Sequence, residues 1–163
     1  MKVKIAAVAI GGLAAIGAWY STLRAQPTAP SQQAPATSSE QPSRSVWDGV
    51  YTEEQAKRGE ALSRRECATC HGEALTGGEE APPLAGDAFL ANWNGLTVGD
   101  IFERIRRTMP QDDPGRLSRQ QDADILAYML GVNKFPVGKT ELERQTELLK
   151  QIRFEATKPE RKK

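Results

Sequence analysis

Both cysteines and the single histidine of this 163-residue chain fall within one run of five, Cys67-Ala68-Thr69-Cys70-His71. On one helical turn, positions i, i+3 and i+4 share a face. A C-x-x-C-H turn therefore aims two thiols and an imidazole the same way. That is the attachment signature of c-type haem: two thioether bonds to one porphyrin edge and a histidine beneath the ring. A structural zinc site needs four ligands, and the chain has no second set of Cys or His. A thioredoxin-type redox pair expects a βαβ context, and no such pattern surrounds the motif. One covalently bound haem c is the expected cofactor, held by Cys67 and Cys70 with His71 as proximal iron ligand.

The N-terminus reads as export machinery. Lys2 and Lys4 precede an apolar run from Ile5 to Tyr20, and Ala25 is a candidate cleavage residue. Residues 1–25 fit either a secretory signal peptide or an uncleaved membrane anchor with Trp19 and Tyr20 at the interface. Both place the remainder outside the cytoplasm, so a periplasmic protein is expected, soluble after cleavage or tethered to the membrane. Two cysteines in an oxidising compartment ordinarily invite a disulfide; thioether attachment leaves neither free. The whole chain carries 22 basic and 21 acidic residues, and the part after residue 25 is slightly acidic. Near-neutral charge and few aromatics argue against a nucleic-acid partner.

Residues 26–45 are rich in Pro, Ser, Gln, Ala and Thr without hydrophobic periodicity, the composition of a disordered linker. A domain is expected over residues 46–136. Thr52 to Gln55 form a capping box that starts a helix running to about Glu66. Residues 72–86, rich in Gly and Pro, predict an irregular loop. Thr97 and Asp100 cap a second helix whose Val98, Ile101, Phe102 and Ile105 make one apolar face. Ser118 to Gln121 cap a third, with Ala123, Leu126, Ala127 and Leu130 as its stripe and Gly131 as its stop. Residues 137–163 form an extension, with an amphipathic helix expected over Thr140–Ile152 and a charged tail. No strands are predicted. The fold class is all-α.

His71 leaves the sixth iron position to another residue. The choice lies between Met109 and Met129. Met129 sits mid-helix at a core position, where a methionine is packing filler. Met109 follows a helix and precedes Pro110, which disfavours helical backbone in the residue before it. Met109 should therefore project from an extended loop and serve as distal ligand. Arg104, Arg106 and Arg107 are either partners for haem propionates or a solvated helix face.

Cys67 to His71 followed by Thr108-Met109-Pro110 resembles the monohaem class I cytochrome c family. Gly59, eight residues before Cys67, matches that family's first-helix glycine, and Tyr128 matches the aromatic that crosses it. Residues 81–86 resemble its Pro-x-Leu-x-Gly stretch. Ser63 stands where the first helix of the family often has an aromatic. The resemblance implies three main helices around one haem, with an extra C-terminal helix in this chain. It implies that His71 Nδ1 donates to the Pro82 carbonyl and that Trp93 contacts a propionate. Trp47, Asp48 and Tyr51, with Asn92-Trp93-Asn94, are similar to cytochrome domains that serve periplasmic quinoprotein dehydrogenases.

The expected function is one-electron transfer, not catalysis, with redox proteins as partners: a dehydrogenase as donor or an oxidase as acceptor. Two other classes stay open. One is an open-site haem enzyme or gas sensor. The other is a haem subunit that serves mainly as part of a larger redox complex.

Overall fold

A computed structural model describes residues 44–160. The chain is largely helical, with six α-helices among the described residues. The expected leader and most of the linker lie outside the described residues.

Helix α1 (Glu53–Glu66) starts at Thr52, whose hydroxyl accepts from the Gln55 amide at 3.2 Å. Glu53 and Glu54 in its first turn, and Arg64 and Arg65 in its last, complement the helix dipole. Only half of the expected capping box forms. The Gln55 side chain is fully buried and turns inward, where Nε2 donates to the Leu142 carbonyl and Oε1 accepts from the Leu142 amide. A short helix, α2 (Ala68–His71), follows directly. Helix α3 (Asp87–Trp93), absent from the sequence-based expectation, closes the loop after the motif.

Helix α4 (Val98–Thr108) and helix α5 (Arg119–Val132) both begin with complete capping boxes, Thr97 with Asp100 and Ser118 with Gln121. Val98, Ile101, Phe102 and Ile105 of α4 are all buried, as are Ala123, Leu126, Ala127 and Leu130 of α5. Gly131 does not end α5; the helix continues through Val132 and is capped at Asn133. A Cβ on Gly131 would lie 3.4 Å from the Tyr51 hydroxyl oxygen. That hydroxyl donates to the Phe135 carbonyl at 2.8 Å.

Helix α1 crosses α5 at Gly59. A Cβ there would sit 1.8 Å from the Asp124 carbonyl oxygen, so the two backbones touch where only glycine fits. Arg58 beside it donates to both Asp124 oxygens at 3.0 Å and to Glu141 at 2.9 Å.

The segment after Pro136 departs most from expectation. It is not a helix over Thr140–Ile152. Only α6 (Thr146–Leu149) is helical, because the Leu142 backbone is bonded to Gln55 instead of to its own neighbours. The segment lies in the same compact unit as residues 46–136. Leu142, Leu149, Ile152 and Phe154 are buried. Two short strands were also not foreseen. Arg44–Ser45 (β1) pairs in parallel with Ile152–Arg153 (β2), so residues 44 and 45 belong to the fold and not to the linker. Phe154 then bonds both ways with the 95–96 backbone at 2.8 Å and stacks edge-on with Phe89 and Phe135.

This geometry makes the tail structural. Four large apolar side chains at about 1.5–3 kcal/mol each compare with a total stability of about 5–15 kcal/mol for a whole domain. Truncation after Pro136 is expected to abolish cooperative thermal unfolding followed by circular dichroism. A truncated protein that melts like the full chain would make the segment a bystander.

Candidate functional site

Helix α1 delivers the motif. The Cys67 amide donates to the Ser63 carbonyl at 2.9 Å, ending α1, and the His71 amide donates to the Cys67 carbonyl at 2.9 Å, closing α2. The two cysteines are not joined in a disulfide; Cys67 is half-buried and Cys70 exposed. Burial pushes the Cys67 thiol up, partly offset by its bond with Ser63.

His71 is 6% exposed. Its Nδ1 lies 2.7 Å from the Pro82 carbonyl oxygen. Nδ1–H donating there fixes the tautomer and leaves the Nε2 lone pair for a metal. The loop that brings Pro82 back depends on Gly77, whose φ is +77° and whose Cβ would lie 2.6 Å from the Pro83 nitrogen. The Gly77 amide donates to the His71 carbonyl at 2.9 Å. Asn133 then pins the far end of this loop to α5. Its Nδ2 donates to the carbonyls of Leu84 and Met129, and its Oδ1 accepts from the Gly86 amide. Sequence reasoning missed Asn133, because an asparagine after a helix reads only as a stop signal.

Met109 caps α4 in extended conformation, φ −127° and ψ 151°, and is half-buried against the core. Met129 is 2% exposed within α5. Trp93 ends α3, half-buried, with its ring 6.3 Å from that of Phe89. Arg106 lies 3.4 Å from Asp122, and Arg107 lies 3.5 Å from Glu103.

The donor set fits haem c chemically. Two unbridged thiols flank one helical turn, an imidazole is oriented through Nδ1, and a thioether leaves its helix on extended backbone.

A family model described as cytochrome C oxidase, cbb3-type, subunit III matches residues 54–129. The match runs from the start of α1 into α5 and includes the motif and Met109. The cbb3-type cytochrome c oxidase subunit CcoP of Azospirillum brasilense is 30% identical over an alignment of 92 positions that covers 47% of this chain. The chain spans only 30% of that relative's length. Sulfane dehydrogenase SoxCD of Paracoccus pantotrophus shares 22% identity at a TM-score of 0.44, over 67% of this chain and 62% of that one. At that depth the likeness carries no argument. These matches correct the resemblance to the monohaem class I cytochrome c family: the matching family model and the curated relative are cbb3-type oxidase subunits. Among the described residues, no helix is long and apolar enough to cross a membrane.

Proposed function

We propose that this chain is a haem-bearing, electron-transferring subunit of a membrane-associated redox complex outside the cytoplasm. The observation that carries the reading is the turn itself: Cys67, Cys70 and His71 on one helical turn, with His71 Nδ1 held by Pro82 at 2.7 Å. Bound haem c supplies one reversible ferric–ferrous couple. The residues do the rest. Cys67 and Cys70 would hold the group covalently. His71, through Nε2, and Met109, through its thioether, would hold its iron. Neutral ligands in an apolar setting favour the reduced state and raise the potential. Pro82 fixes the imidazole ring, and Trp93 would offer an indole N–H to a propionate. The similarity to CcoP favours membership in a larger assembly over a free carrier, with an oxidase or a dehydrogenase as redox partner. The chain transfers electrons within that assembly and is not by itself the catalyst.

The test is covalent attachment. Protein matured in a host that attaches haem c is expected to keep its haem through acid–acetone extraction. Cys67→Ala and Cys70→Ala are each expected to lower holo-protein yield at least about tenfold, since each thiol supplies one of the two thioether bonds. Haem that extracts from the wild type would overturn the reading.

A further inference from the structure

The buried group that the site above leaves unused is Asp122, in the first turn of α5. It is 1% exposed, and neither carboxylate oxygen accepts a hydrogen bond. The Arg106 Nε of α4 approaches Oδ2 at 3.4 Å, yet that nitrogen is itself buried and donates no hydrogen bond. The Arg106 guanidinium leans over the Phe102 ring instead, 5.9 Å from its centroid. An ionised carboxylate is poorly supported by charge contact alone when it is out of water. Asp124, two residues on, shows the contrast: it accepts two bonds from Arg58 and one from Gln120.

Burial pushes the Asp122 carboxyl up to about 6, against the downward pull of Arg106 and Arg119. The position is what gives this consequence. The charge of Asp122 acts on the thiol of Cys67, the first haem-attachment residue. The other charges facing this region are Glu66 at the end of α1 and Arg116 from the loop after Met109, which pair at 2.6 Å, and Arg119 on α5 itself.

From this juxtaposition we infer that Asp122 is a redox-linked proton site, its carboxylate taking up one proton from solvent when the domain accepts one electron. The inference rests on haem attachment at Cys67. The electron comes from the one-electron donor of the complex. The proton converts the carboxylate to a neutral carboxylic acid, so the interior gains no net charge. When the electron leaves, the proton returns to solvent. The sign follows from electrostatics. A more positive oxidised centre favours the ionised carboxylate, and a less positive reduced centre lets Asp122 hold its proton more tightly.

A haem stain on a denaturing gel comes first and tests attachment alone. Stained holo-protein is then titrated spectropotentiometrically at a series of pH values. The wild-type potential is expected to fall as pH rises through about 6, with the proton held several-fold more tightly in the reduced state. Asp122→Asn is expected to give a higher potential at neutral pH and no slope in that window. Arg106→Gln removes a cation that favours the ionised form, so the bend is expected to move to higher pH. A stained wild type with a flat potential, an Asp122→Asn variant that keeps the wild-type slope, or an Arg106→Gln variant with an unmoved bend would each overturn the proton site. An unstained wild type would remove the haem reading and this one together.

Melting provides a readout independent of the potential. A folded pKa raised from 3.8 to about 6 means that the folded protein binds this proton more tightly than the unfolded chain. The contribution of Asp122 to stability is therefore greatest below about pH 4 and declines as pH rises through about 6. Asp122→Asn is expected to lose that decline and to melt above the wild type at neutral pH.

Discussion

Gly59→Val is expected to leave the domain unfolded, and Gly59→Ala to cost several kcal/mol. On an isolated helix the alanine substitution stabilises by about 1 kcal/mol, so the expected result has the opposite sign to propensity. The reason is contact between backbones. The added Cβ would stand 1.8 Å from the Asp124 carbonyl oxygen and 2.5 Å from its carbon. A flexible side chain can move aside, whereas a helix backbone moves only with its whole helix. Pushing α5 away would also stretch the bonds from Arg58 to Asp124 and the core contacts around Leu62, Leu126 and Ala127. Overpacking of ordinary cores costs about 1–3 kcal/mol, and here there is no side chain to repack. Urea unfolding of holo-protein measures the loss. A Gly59→Ala midpoint equal to the wild type would show that the helices separate freely at this crossing.

Met109→Ala is the second large effect. The loss of the thioether is expected to open the ferrous protein to carbon monoxide within the mixing time. It should also lower the potential by tens to hundreds of millivolts, within the roughly 0.8 V range that axial ligation spans in haem proteins. Met129→Leu is expected to change neither property, because Met129 is buried in α5 and a methionine-to-leucine exchange preserves volume. The two methionines differ in backbone as well as burial. Met109 leaves its helix at φ −127° and ψ 151°, while Met129 stays within helical backbone. Wild-type ferrous protein that binds carbon monoxide rapidly at neutral pH would favour the open-site enzyme or sensor class. If Met129→Leu, and not Met109→Ala, removes the ferric methionine–iron charge-transfer band, the ligand assignment is reversed.

The features legible from the sequence are those whose physics is local. A capping box depends on residues three apart, so Thr97 with Asp100 and Ser118 with Gln121 placed the starts of α4 and α5. The apolar stripe of α4 depends on spacings of three and four. The C-x-x-C-H turn and the helix end before Pro110 lie within five residues or fewer. The family alignment lay beyond such signals: motif letters shared by many haem domains suggested class I, whereas the match over residues 54–129 is to cbb3-type oxidase subunits.

Tertiary structure decided whatever depends on partners far along the chain. Gln55 carries the letter of a capping residue, yet its amide serves Leu142, 87 positions away. The same contact keeps residues 140–145 from the helix that their periodicity suggests. Asn133 marks a helix end in sequence and fastens the loop beside His71 in space. Strands of two residues have no periodicity to detect; β1 and β2 exist because residues 44–45 and 152–153, far apart in sequence, meet. Asp122 is an ordinary acid in the first turn of a capped helix until α4 covers it. A sequence fixes which groups are available and their local backbone preferences, but the burial that sets a pKa and the long-range bond that holds a loop arise only when distant segments exclude water together.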